Sequence, residues 1–155
     1  MSAISKFFRD WRSYASIGGI LAVAGWVFSR VSAVNPAILG DEYLYSINAR
    51  HAAPWDPSPA GDFSNYLFNF VYSSTNVCGA AFYTCGKMLN LIFFIGFLLV
   101  VFIIAVRFLN YWVALAFTLA SGLSPISVYT SMFLPESMYF FMISLVFLAV
   151  LKAAE

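Results

Sequence analysis

The feature that most restricts this chain is an unbroken apolar stretch from Met88 to Val106, MLNLIFFIGFLLVVFIIAV, preceded by Lys87 and followed by Arg107. No charge interrupts it, and Asn90 is its one strongly polar side chain. A helix rises about 1.5 Å per residue, so this stretch covers the roughly 30 Å hydrocarbon core of a bilayer. The composition agrees, because only 10% of residues are charged and 62% are hydrophobic, whereas soluble domains carry roughly 25% charged residues. An ordinary water-soluble globule is excluded. A disordered tail is excluded too, since aromatics make up 19% of the chain. Eight basic and seven acidic residues leave a net charge of +1, which gives no electrostatic basis for binding nucleic acid.

Three further segments read as spans. Residues 14–34 hold a short Gly- and Ala-rich apolar run, Ile17 to Phe28, preceded by Lys6, Arg9 and Arg12. A secretory signal peptide begins the same way, and Val31-Ser32-Ala33 offers it a cleavage site. However, Trp26, Phe28 and Arg30 stand where small residues are required, which favours a retained span. The segment after Leu109 is too long for one crossing and is broken at Ser124-Pro125 and at Leu134-Pro135-Glu136. It is predicted to supply spans over 111–128 and 135–151, with a broken re-entrant arrangement as the alternative. The fold expected is therefore all-α: a polytopic transmembrane helical bundle of about four spans. The chain reads as a single transmembrane module, with Gly18, Gly19 and Gly25 available for close helix approach.

Basic residues near span ends set orientation. With the N-terminus inside, Lys6, Arg9, Arg12, Arg107 and Lys152 face the cytoplasm, while Arg30, Arg50 and Lys87 lie outside. Residues 35–87 then form a long first outer loop, a length that points to function or disorder. Its aromatic clusters argue against disorder. His51 to Asp62 is a turn-rich strip, whereas Phe63 to Tyr72 suits an interfacial helix at headgroup depth, or else a re-entrant or packing helix. Cys78 and Cys85 share this outer loop, where a disulfide is permitted; two small apolar fillers is the other reading. No glycine-rich phosphate loop and no Ser/His/Asp signature is present.

Five of the seven acids fall on the outer side: Asp41, Glu42, Asp56, Asp62 and Glu136. In Gly40-Asp41-Glu42-Tyr43 the adjacent carboxylates project differently, so one can face a reaction centre while the other supports the fold. Helix capping is the plainer role for both. Glu136 follows Pro135 at the start of a span, where capping is again the default, yet an ionisable residue at membrane depth is by default a functional candidate. All three acids lie near span ends on one side, which allows them to converge.

The order of these elements resembles the N-terminal part of integral-membrane GT-C glycosyltransferases. The likeness is greatest to the branch with protein O-mannosyltransferases and lipid A aminoarabinose transferases. GDEYLYS (Gly40 to Ser46) and SMFLPESMYFFMISL (Ser131 to Leu145) carry it. The resemblance implies a sugar donor linked by phosphate to a polyprenyl lipid, and an acceptor glycan, lipid or protein. Transfer would take place on the non-cytoplasmic face, with the bacterial inner membrane as the expected setting. It gives Asp41 the acceptor-side role of general base, with Glu42 beside it and Glu136 as a second acid. Arg50, His51 or Lys87 would meet the donor phosphate. A divalent cation, Mg or Mn, would be shared by the acids, with Asp41 and Glu136 as ligands. Family members carry many more spans, so the chain is expected to be the N-terminal fragment of a larger enzyme. The competing reading is a small non-enzymatic membrane subunit that packs with, or docks to, a larger complex.

Overall fold

A computed structural model describes residues 11–33, 40–56 and 65–155. The expected cytoplasmic residues Lys6 and Arg9, the outer acid Asp62 and two prolines of the turn-rich strip lie outside these residues. Every regular element described is helical. In chain order they are α1 (Trp11–Ala33), α2 (Gly40–His51), α3 (Tyr66–Tyr72), a 3-10 helix (Ser73–Ala81), α4 (Phe82–Phe108), α5 (Tyr111–Gly122), a second 3-10 helix (Pro125–Ser131) and α6 (Glu136–Ala153). No strand occurs among the described residues.

Two of these segments are long and apolar enough to cross a membrane: the one ending in α4, and α6. A third counts if α5 and the following 3-10 helix, bent by 51° at their break, form one span. Among the described residues there are thus two or three candidate spans, and the expected count of about four is not confirmed. At 23 residues α1 has the length for a span. Its apolar content, however, is diluted by Ser13, Ser16, the glycines, Ser29 and Arg30. The bend falls at Ser124-Pro125, where proline cannot donate to the preceding turn. Ser124 instead accepts from Ser127 N at 3.0 Å, starting the 3-10 turn.

Helix α4 starts six residues earlier than its apolar run. It continues through Gly86 and Lys87, because that first section is buried against protein rather than ending at water. At the other end, Asn110 caps α5 by accepting from Val113 N at 3.1 Å, turning the chain after α4 in two residues.

Side-chain contacts fix the directions. Gly96 meets Phe141, Phe97 meets Phe140 and Arg107 meets Glu155, so α4 and α6 run parallel. Arg12 meets Tyr111, Gly19 meets Leu119 and Val23 meets Gly122, so α1 and α5 are likewise parallel to one another. Of the three glycines expected to allow close helix approach, only Gly19 packs against another helix; a Cβ on Gly18 or Gly25 would meet nothing.

Mid-bundle, Ile20, Val23 and Val27 of α1 bury against Phe94 and Leu98 of α4. Phe102 and Ala105 close on Ala114 and Leu115 toward the α4–α5 turn. The opposite end carries α2, α3 and the first 3-10 helix, stacked on the start of α4. There Ala49, Phe68, Tyr72, Phe82, Phe133 and Met138 form a separate, largely aromatic core. Cys78 and Cys85 are joined by a disulfide that bridges the entry to α4.

Candidate functional site

Helix α2 splits its two acids. Asp41 is exposed, whereas Glu42, one residue on, is 1% exposed and points into the aromatic core. A 100° step between neighbours makes this separation unavoidable once one face of α2 is buried. Glu42 Oε1 accepts the backbone N–H of Phe133 at 2.7 Å. Two more buried side chains hold the same loop. Asn90 Nδ2 donates to the Met132 carbonyl at 2.6 Å, and the Tyr72 hydroxyl lies 3.3 Å from the Leu134 carbonyl while donating to Asn90 Oδ1. Three consecutive residues before Pro135 are therefore clamped by side chains from α2, α3 and α4. Buried backbone groups have to be paired, and here that need is met by specific residues rather than by regular structure.

The clamp also needs space for the Phe133 ring, which stacks on Phe82 with centroids 4.8 Å apart. A Cβ on Gly86 would stand 2.2 Å from Phe133 Cε2, so only glycine leaves room there. With the loop fixed, the chain enters α6 at Glu136.

Around that entry lies a polar cluster. Asn65 Nδ2 donates to the Tyr139 hydroxyl, and Asn65 Oδ1 caps α3 by accepting from Phe68 N at 3.2 Å. The Tyr45 phenol is held above its ordinary value, mainly by burial and then by Tyr139, Glu136 and Asp41; a hydrogen bond with Asn65 acts in the opposite direction. Asp41 and Glu136, 95 positions apart in sequence, thus act on one phenol. Glu136 Oε2 and Ser137 Oγ are both buried without a hydrogen-bond partner among the described residues. An acceptor left in this state is one that a bound hydroxyl or water can satisfy.

Asp41 and Glu136 are near enough for both to act electrostatically on Tyr45, whereas Glu42 is turned into the aromatic core. The three acids therefore share no cation site. Among the described residues no group of three or more His, Cys, Asp or Glu side chains could hold a metal ion. Asp41 and Glu136 remain as two carboxylates, a number that holds Mg only together with waters and a substrate phosphate. The expected phosphate-binding residues lie elsewhere. Arg50 and His51 are exposed at the far end of α2, about 14–15 Å along its axis from Asp41. Arg50 sits over the Phe82 ring at 5.4 Å, and the placement of acids at the start and bases at the end of α2 complements its dipole. Lys87 is buried within α4.

Sequence reasoning missed Tyr45, Asn65 and Tyr139, and assigned no role to Asn90. The signal for Asn90 was available, since one polar residue inside an apolar span calls for a partner. The tyrosines gave none, being lost among nine tyrosines and seventeen phenylalanines. Comparison with known proteins finds no matching family model, no matching curated protein and no matching solved structure.

Proposed function

We propose that this chain is a membrane module of a glycosyltransferase. It would move a sugar from a polyprenyl-phosphate-linked donor to an acceptor hydroxyl on the non-cytoplasmic face, with its N-terminus in the cytoplasm. In this reading the acceptor oxygen attacks the anomeric carbon and the bond from that carbon to the phosphate oxygen breaks. Polyprenyl phosphate leaves with the electron pair, and the acceptor proton passes to Asp41. Glu136 orients the acceptor by receiving a hydrogen bond at Oε2. Glu42 is a positioning residue that acts through Phe133, which amends the catalytic role the resemblance suggested for it. The observation that supports this reading is the pairing of an exposed acid and an unsatisfied buried carboxylate oxygen around Tyr45.

Transfer by membranes containing the protein in its full-length context, assayed with a panel of polyprenyl-phosphate-linked hexoses and pentoses, tests it. Asp41→Asn is expected to insert normally and to lose about 10²- to 10⁴-fold in rate, the usual contribution of a general base. Undiminished transfer by that variant removes the assignment. Absence of transfer by the parent protein with every donor, together with intact association with a larger complex, favours the non-enzymatic subunit instead.

A further inference from the structure

The outer end of the bundle carries an exposed aromatic surface that the sugar-transfer reading does not use. Helix α3 buries Phe68, Asn69 and Tyr72 and turns Tyr66, Leu67 and Phe70 outward, at 58, 48 and 42% exposure. Trp55, 57% exposed, extends this face by packing its ring on Phe70 with centroids 5.6 Å apart. Its backbone takes a φ of 64°, uncommon for a residue with a Cβ.

The depth of this face can be read from α4. Tyr72, two residues after Phe70, bonds to Asn90. Asn90 is the third residue of the uncharged run that begins at Met88, so it stands about 3 Å inside the edge of that run. The C-terminal turn of α3 is thereby held level with the boundary between hydrocarbon and headgroups. Tryptophan and tyrosine gather at that boundary, where a ring enters the apolar layer and its N–H or O–H stays wet. One positive charge lies near Trp55 in the chain, that of exposed Arg50. Asn76 Nδ2 donates to the carbonyls of Ala49 and Ala52 at 2.8 and 2.7 Å, fixing the turn with exposed Arg50 and His51 to the 3-10 helix. Lipid phosphates lie in the same layer and attract such groups. Asp56, half-buried, is the one acid described on this stretch.

We infer that the outward face of α3, together with Trp55, is seated in the headgroup layer of the bilayer this chain spans. Exposed Arg50 then adds attraction to lipid phosphate. The outer segment rests on the membrane as an anchored cap rather than projecting into solution. This inference needs the membrane reading of the apolar helices but not the sugar-transfer reading.

The test uses Trp55 as its own depth gauge. Trp11, Trp26 and Trp112 are replaced by Phe, and the protein is reconstituted into phosphatidylcholine vesicles brominated either high or deep in the acyl chain. Strong quenching of Trp55 by the shallow label, weaker quenching by the deep label and little by aqueous iodide are expected. Iodide quenching as in free tryptophan, with neither bromolipid effective, overturns the inference, and so does strongest quenching by the deep label. Should the triple replacement fail to fold, the unsubstituted protein in vesicles is oxidised with hydroxyl radicals and read by mass spectrometry. Trp55, Tyr66 and Phe70 are expected to oxidise several-fold more slowly than in a free peptide of the same sequence. Oxidation at the peptide's rate overturns the inference.

Discussion

The two ends of α4 are packed by different kinds of contact. From Phe94 to Ala105 its neighbours are largely apolar side chains from α1, α5, the second 3-10 helix and α6, packed by shape. From Phe82 to Asn90 it meets a core where a carboxylate, an amide and a phenol each hold a named backbone atom. Dispersion and burial tolerate exchange among shapes of similar volume. A buried polar clamp does not, because removing one partner leaves the other desolvated and unpaired. The bundle is thus the permissive half of the molecule and the cap the exacting half. Asp41 and Glu136 are positioned by the exacting half.

The most forceful way to break this contrast is Glu42→Ala. It leaves the Phe133 N–H buried without an acceptor and is expected to cost about 3 kcal/mol, the sum of a lost charged hydrogen bond and a stranded donor. Glu42→Gln keeps an acceptor oxygen and should lose less than half of that. Thermal unfolding in detergent gives the order, and amide exchange at Phe133 shows whether the loop has been released. Equal, small effects for both variants would erase the distinction between the halves.

A pair of matched substitutions sharpens it. Both Gly86 and Gly96 lie on α4 under aromatic rings, and a Cβ would approach Phe133 Cε2 to 2.2 Å in the first case and Phe141 Cε2 to 2.8 Å in the second. Phe133 is fully buried, whereas Phe141 is partly exposed and can swing aside. Gly86→Ala is expected to destabilise by about 1–3 kcal/mol, as overpacking does. Gly96→Ala should fall within about 1 kcal/mol of neutral, the helical gain of alanine offsetting a small shift. Melting temperatures of the two variants in the same detergent decide the matter.

The smallest effect concerns pH. Because the Tyr45 phenol is held above its ordinary value, the folded state resists its ionisation. Its contribution is fully present below about pH 10, the value for an unfolded tyrosine, and is lost as pH rises beyond that. Tyr45→Phe should therefore lose stability less steeply in that alkaline range, as followed by unfolding at a series of pH values.

Much of the bundle was legible in the chain because its governing rule is local. Met88 to Val106 declares a spanning helix by length and composition alone, and Ser124-Pro125 marks the bend where it occurs. The true start of α4 at Phe82 was not legible, since Gly86 and Lys87 read as a polar flank until Phe133 covers that face. The divergence of Asp41 and Glu42 follows from helix geometry, but which acid turns inward depends on an aromatic core assembled from α2, α3, α4 and the loop before α6. The Cys78–Cys85 bond was one of two readings that spacing alone could not separate. Span count is less legible: α1 has the length of a crossing helix without the apolar density of α4.

The clamp around Met132 to Leu134 also imposes a schedule on synthesis. Glu42 and Phe133 are separated by 91 positions, Tyr72 and Leu134 by 62, and Asn90 and Met132 by 42. At roughly 5–20 residues per second, the ribosome delivers Phe133 about 5–20 s after Glu42 has been made. Over that interval the Glu42 carboxylate stays hydrated, because entering an apolar core without its partner is too costly. The segment that carries Glu42 is therefore kept open by its own chemistry until the final helix arrives, so the aromatic cap is the last part of the molecule to mature.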